Sequence, residues 1–190
     1  MPGTVAPVTD EREALVGYLD QQRYVVRLNA HGLSDDQARA TPTPSSLSVG
    51  GIVKHLAAVE RFWMDVVLQR VEPSPPGEYH ENFRMTPDDT LSDLLEDYGR
   101  AAAETAAVVA SIADMGHDVP LPAGVPWFPA DVETWSLRWV LLHLIEETAR
   151  HAGHGDIVRE AVDGATAFPL MAAAEGWPAS PWITPWAPPG

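Results

Sequence analysis

Four segments of this chain carry apolar residues at the three- and four-residue spacing of an amphipathic helix, and proline-rich connections separate them. The pattern predicts helices near residues 9–31, 48–71, 87–113 and 136–162. The sequence shows no alternation of apolar and polar residues of the kind that predicts a half-buried strand. Because amphipathic helices bury their apolar faces against one another, the sequence predicts an all-α four-helix bundle with two long connections.

Residues that favour helix ends mark the limits of these segments. The predicted N-caps are Thr9, Ser48, Thr86 and Ser136, with Pro87 in the first turn of the third helix. Gly32 is predicted to end the first helix and Gly164 the fourth, because glycine readily takes the left-handed conformation found there. Residues 34–48 are predicted to form a short helical turn and a loop, and residues 71–87 and 114–134 are predicted loops.

The last part of the chain differs in composition from the bundle. Residues 176–190 hold three tryptophans and five prolines, which is unsuited to a regular helix. Three indole rings form a large apolar surface to leave in water. We therefore predict a bundle over residues 1–165 and a Trp/Pro-rich tail over 166–190 that packs on the bundle or on a partner subunit.

Composition limits the classes of function. The net charge of −15 argues against nucleic-acid and anionic-membrane partners. The absence of cysteine excludes disulfides, thiolate-bound zinc and a thiol nucleophile supplied by the protein. The first residues lack a basic segment followed by an apolar run, and no run of 18 apolar residues occurs, so the expected location is the cytoplasm.

Polar side chains interrupt the apolar stripe of the fourth predicted helix. Val140 and Val158 place this stripe toward the core. Four polar residues share it, namely His143, Glu147, His151 and His154. A buried carboxylate without partners costs several kcal/mol, and a shared cation would remove that cost.

The second predicted helix offers a complementary ligand. His55 shares the apolar face of that helix, and Glu147 and His151 lie one turn apart on the fourth. Two imidazoles and one carboxylate suit zinc or another divalent first-row metal, with positions left open for water or substrate. The same spacing also allows a metal-free Glu–His pair that holds two helices in register, and a lone core histidine is more often hydrogen-bonded than a ligand. Spacing alone leaves both hypotheses open.

Related metal motifs are absent from the sequence. The segment "HLIEETARH" contains neither H-E-x-x-H nor its inverted form, so a zincin protease is excluded. A di-iron bundle needs E-x-x-H on two helices, and neither Glu146 nor Glu147 has a histidine three residues later. A single mononuclear site is the remaining metal hypothesis.

Two segments carry a family resemblance. "SVGGIVKHLAAVERFW" and "WSLRWVLLHLIEETARHAGHGDIVREAVDG" resemble the DinB/YfiT-like superfamily of metal-binding four-helix bundles, nearest to the branch that includes mycothiol-dependent maleylpyruvate isomerase. Many members have H-x-x-x-H-R-G-Q in the fourth helix. Here Glu147 stands at the first His position, His151 at the second and His154 at the Gln position. The resemblance implies His55, Glu147 and His151 as metal ligands, and leaves His143 and His154 outside the ligand set.

The resemblance implies a divalent-metal-dependent thiol S-transferase or isomerase that uses mycothiol as thiol cosubstrate and acts on a small molecule. Zinc is the first choice of metal, and nickel or another first-row metal is the second. Arg138 and Arg150 are candidate anchors for acidic groups. Family habit and the Trp-rich tail favour a homodimer. The isomerase has a second domain that residues 166–190 are too short to form. We therefore do not expect this chain to catalyse the isomerase's reaction on the strength of the resemblance.

Two other hypotheses stay open beside the enzyme. One is a noncatalytic metal- or small-ligand-binding stress protein, and the other is a structural bundle with a buried Glu–His pair. We expect metal analysis to eliminate the last of these. A pocket above the ion, lined by residues 72–86 and 115–133, would favour the enzyme.

Overall fold

The computed structural model describes residues 3–71, 81–122, 125, 128–129 and 131–188. These residues form helices and one small antiparallel ladder. The elements are α1 (Glu11–Ala30), α2 (Asp35–Arg39), α3 (Val49–Val67), α4 (Leu91–Ser111), β1 (Asp118–Pro120), β2 (Thr134–Ser136), α5 (Leu137–Asp163) and α6 (Ala167–Ala174).

The four long helices α1, α3, α4 and α5 form the predicted all-α bundle. Helix α1 packs mainly against α5, and α3 packs mainly against α4. Contacts between α3 and α5 join the two pairs. The fold class predicted from the helical spacing is thereby confirmed. Among the described residues, no helix is both long and apolar enough to cross a membrane.

Several helix ends agree with the sequence prediction. Ser48 and Ser136 are N-caps whose hydroxyls accept hydrogen bonds from the backbone N–H groups of Gly51 and Trp139. Gly164 follows α5 in the left-handed conformation. The N-cap of α1 is Asp10 rather than Thr9, because the Asp10 carboxylate accepts from the backbone N–H of Glu13.

The start of the third long helix was predicted wrongly. Thr86 and Pro87 lie in a turn before α4, and the N-cap is Thr90. The carboxylate of Asp89 accepts hydrogen bonds from the backbone N–H and hydroxyl of Thr86 and from the ammonium group of Lys54 on α3. Because of this turn, the helix does not extend back to Pro87. The hydrogen bond from Lys54, a residue of another helix, is part of the turn.

The ladder of β1 and β2 was not predicted. Asp118 pairs with Ser136 and Pro120 with Thr134, so the strands close the loop that precedes α5. Each strand has three residues, too few to show an alternating pattern in the sequence. The ladder forms because the chain returns on itself. Its pairing with Asp118 fixes the position of Ser136, which is the N-cap of α5.

Two glycines at the start of α3 allow a second segment of backbone to approach closely. A Cβ atom on Gly51 would collide with the carbonyl oxygen of Phe83, and one on Gly50 would collide with the sulfur of Met85. Because this approach is close, the Phe83 ring stacks on the ring of His55, with centroids 3.7 Å apart and an interplanar angle of 17°. The glycine pair therefore positions an aromatic ring over a residue of the polar cluster described below.

We expect Gly51→Ala to lower the free energy of unfolding by about 1–3 kcal/mol, because the backbone at Phe83 must move. Gly153→Ala is the matched control, since Gly153 lies within α5 and a Cβ there would meet no atom of the described residues within 4 Å, its own turn of helix aside. Alanine at position 153 should be neutral or stabilising by up to about 1 kcal/mol. Urea unfolding of both variants measures the difference, and equal stability would contradict the close approach.

Two separate apolar clusters fill the bundle, one toward each end. On α3, for example, Ile52 belongs to the first and Trp63 to the second. Buried and half-buried polar side chains from all four long helices occupy the level between the clusters. We call this set the polar layer: Arg23, His55, Glu60, Thr105, Glu147, Thr148 and His151.

The chain after α5 returns across the end of the bundle. Trp186 donates its backbone N–H to the carbonyl of Pro169 at 2.9 Å. Its ring lies over the guanidinium of the fully buried Arg159 at 4.8 Å and meets the ring of His31 edge-on. Trp182 is 91% exposed. Trp177 is 38% exposed, so the three tail indoles have different environments.

Candidate metal centre

Three side chains of the polar layer converge on one point between α3 and α5. His55 Nε2 lies 3.1 Å from Glu147 Oε1, and His151 Nε2 lies 3.3 Å from the same oxygen. One donor atom from each of the three residues lies within 4.8 Å of the other two. Both histidines are buried, and Glu147 is half-buried. The structure thus brings together the three residues that the sequence singled out.

The spacing of the donor atoms suits a first-row metal. Bonds of about 2.0–2.2 Å in tetrahedral geometry place neighbouring donor atoms roughly 3.4 Å apart. The two His–Glu distances of 3.1 and 3.3 Å are close to that value. Since all three atoms lie within 4.8 Å of one another, small side-chain movements suffice for a shared ion. The cluster can therefore hold a divalent cation.

The protonation of the cluster also suits a metal. Burial lowers the pKa of His55, and the hydrogen bond to Glu147 offsets this only in part. Hydrogen bonds from His151 and then His55 hold the pKa of Glu147 well below its usual value. At neutral pH the cluster accordingly offers a neutral imidazole at position 55 and a carboxylate at position 147, the forms that bind metals.

Aromatic rings enclose the cluster on the side of the loop before α4. The Phe83 ring stacks on His55 and lies with its centroid 5.4 Å from that of His151. The rings of His55 and His151 meet edge-on at 4.8 Å. These contacts restrict the orientation of both imidazoles and reduce their access to water.

The other two histidines of the stripe lie outside the three-residue cluster. His143 is one turn before Glu147, where its ring stacks on Trp139 at 5.2 Å and its Nδ1 lies 3.7 Å from a carboxylate oxygen of Glu146. His154 is almost one turn after His151, and its Nδ1 lies 3.5 Å from Nδ1 of His151.

The two candidate anchor arginines differ in their surroundings. Arg138 forms a two-pronged ion pair with Glu11 of α1, with N–O distances of 2.6 and 3.0 Å. This pair joins the start of α5 to α1 on the surface, and the role of Arg138 as an anchor for acidic groups stays a prediction. Arg150 lies on the exposed face of α5.

Only part of the predicted pocket wall falls within the described residues. Residues 72–80, 123, 124, 126, 127 and 130 lie outside them, so the pocket lined by 72–86 and 115–133 stays a prediction. Among the described residues, Trp139, Leu142, His143 and Glu146 line an open surface pocket of about 290 Å³. Of its lining residues, His143 lies one helical turn before Glu147, and the ring of His143 stacks on that of Trp139.

Sequence reasoning missed four members of the polar layer: Arg23, Glu60, Thr105 and Thr148. The guanidinium of Arg23 binds both carboxylate oxygens of Glu60, one of them at 2.8 Å, and the hydroxyl of Thr105 donates to Glu60 at 2.7 Å. Glu60 follows Leu56 by four residues and precedes Trp63 by three, which places it on the apolar stripe of α3. The signal that identified Glu147, a charge on an apolar face, was therefore present here as well.

Comparisons with known proteins support the assignment of the fold. The sequence matches the mycothiol-S-transferase family over residues 14–164. A conserved protein from Enterococcus faecalis has a similar solved structure, with a TM-score of 0.57, 16% identity, and coverage of 82% of this chain and 98% of that one. At that identity the likeness concerns the fold alone. None of the curated proteins matches the chain.

Proposed function

Because the chain belongs to the mycothiol-S-transferase family of DinB-like bundles, we propose that it transfers a low-molecular-weight thiol to a small electrophile at a divalent cation bound by His55, Glu147 and His151. Family membership also confirms the resemblance to the DinB/YfiT-like superfamily. The observation that carries the proposal is the convergence of three donor atoms within 4.8 Å inside the region that matches the family.

The residues of the cluster have distinct roles in this proposal. His55 and His151 supply neutral nitrogen donors, and Glu147 supplies the single negative charge, so a divalent ion keeps a net charge of about +1. When bound, such a cation lowers the pKa of a coordinated thiol and makes the thiolate available at neutral pH. Burial of both imidazoles and the ring of Phe83 limit the access of competing water.

The thiol must come from outside the chain, because the protein has no cysteine. In the proposed transfer the S–H bond breaks and its proton passes to solvent. A C–S bond forms, and the leaving group departs with the electron pair of its bond to carbon. The family name supports mycothiol as the thiol. The open pocket lined by Trp139 and His143 supports a small, partly apolar electrophile.

We propose zinc as the native metal and nickel or another first-row ion as the alternative. Two imidazoles and one carboxylate, with an open position, form a ligand set typical of catalytic zinc. Elemental analysis of protein purified without chelator identifies the metal.

A homodimer and a cytoplasmic location stay predictions. Light scattering during gel filtration tests the homodimer.

We expect zinc-loaded protein to join mycothiol to monochlorobimane, with release of chloride and a proton, faster than the uncatalysed reaction. Fluorescence of the thioether and its mass measure the product. Glutathione and bacillithiol, tested in parallel, show which thiol is preferred. The chelated protein is the control and should react at the uncatalysed rate.

A negative result would select the alternative function. If mycothiol neither raises the unfolding temperature of the zinc-loaded protein nor reacts above the uncatalysed rate, the hypothesis of a noncatalytic metal- or small-ligand-binding stress protein replaces the transferase. If purified protein holds no metal and binds none on titration, the cluster is a structural Glu–His contact.

A further inference from the structure

His154, three residues after His151 on α5, contacts the ring of that proposed ligand. His154 Nδ1 lies 3.5 Å from His151 Nδ1, within hydrogen-bonding geometry. The two rings meet edge-on, with centroids 5.3 Å apart and an interplanar angle of 68°. His154 is half-buried and is not part of the three-residue cluster.

The tautomer of His151 decides whether its Nδ1 can donate a hydrogen bond to His154. His151 turns Nε2 toward Glu147, so a cation shared with that carboxylate takes the Nε2 lone pair. The ring proton of a neutral imidazole bound through Nε2 is on Nδ1. The Nδ1 proton of His151 then needs an acceptor, and the facing atom is Nδ1 of His154.

We propose that His154 is a positioning residue, whose Nδ1 accepts the Nδ1 proton of His151 and thereby holds the His151 ring with Nε2 toward the cation. The inference rests on the proposed function, since it takes His151 as a ligand. Outer partners of this kind fix the tautomer and the ring orientation of a ligating histidine. His154 accepts this bond as the neutral tautomer with its own proton on Nε2.

Two substitutions separate an acceptor from a packing role. His154→Leu keeps a side chain of similar size and removes the acceptor. His154→Asn places an amide oxygen close to the position of Nδ1 and so retains the acceptor. Because His154 is half-buried on the surface of α5, both variants should fold, which circular dichroism verifies.

We expect His154→Leu to weaken zinc affinity by about 10- to 100-fold and His154→Asn to stay within about threefold of the native protein. Competition with a chromogenic zinc chelator measures the affinity. In zinc-loaded protein, the Nδ1 proton of His151 should be visible by ¹H–¹⁵N NMR in the native protein and in His154→Asn. It should be lost to exchange in His154→Leu.

The outcomes distinguish this inference from the proposed function. Native zinc affinity in His154→Leu, or an equal loss in His154→Leu and His154→Asn, would overturn the positioning role and leave the metal centre intact. Failure of the native protein to bind zinc would overturn the metal centre and the positioning role together.

Discussion

His151→Ala is expected to lose stoichiometric zinc, with affinity weakened by roughly 100-fold or more. Complete zinc sites bind with about 10–16 kcal/mol shared among four ligands, so one ligand contributes on the order of 3 kcal/mol. Glu147→Gln keeps the shape of the side chain but removes the only negative charge of the cluster. It should therefore lose zinc and thiol transfer together.

His117→Ala is the matched control for these variants. His117 is an exposed histidine at the start of the β-ladder, outside the polar layer. It should retain zinc within about twofold of the native content. Elemental analysis after dialysis and the rise in unfolding temperature on zinc addition measure the loss. One equivalent of zinc in dialysed His151→Ala would show that the ligand set is wrong.

Arg23→Met is expected to lower the free energy of unfolding by about 3–5 kcal/mol, because among the described residues it leaves the buried Glu60 carboxylate with the Thr105 hydroxyl and without its hydrogen-bonded cation. Glu60 is 1% exposed, so water cannot replace the guanidinium. The double variant Arg23→Met with Glu60→Met removes both charges. It should recover most of the loss.

Arg61→Met is the matched control for the buried pair. Arg61 is the neighbour of Glu60 on α3, and its guanidinium binds both carboxylate oxygens of Asp97 at 2.7 Å. Its side chain is 36% exposed and that of Asp97 is 35% exposed. Loss of this pair should cost at most about 1 kcal/mol. Urea unfolding of zinc-saturated proteins provides the comparison, and equal costs for Arg23→Met and Arg61→Met would refute the buried-charge argument.

Local spacing predicted much of the fold because it is a property of single helices. Apolar residues every three or four positions identified the four long helices, and Ser48, Ser136 and Gly164 marked their ends correctly. The start of α4 was placed too early because its turn depends on Lys54 of another helix. The three-residue strands have no local pattern and exist only through their pairing.

The candidate site likewise contains one relation that a single helix determines and one that depends on tertiary packing. Glu147 and His151 lie one turn apart on one helix, so their proximity follows from helical geometry alone. His55 could be assigned to an inward face, but its level along the bundle could not be calculated from its own helix. That level depends on how α3 and α5 slide against each other as their side chains pack. The family resemblance supplied the missing relation between the two helices.

By itself, the sequence determined that this protein is a helical bundle with charged and imidazole groups on apolar faces, because periodicity records which face each residue occupies. It also excluded a cysteine ligand or nucleophile, which needs no structure. Only the tertiary structure decided that Arg23 meets Glu60 while His55 meets Glu147, and that Phe83 covers His55. These pairings depend on the axial offset between helices and on the path of the loops, and both are set by packing contacts between residues far apart in the chain.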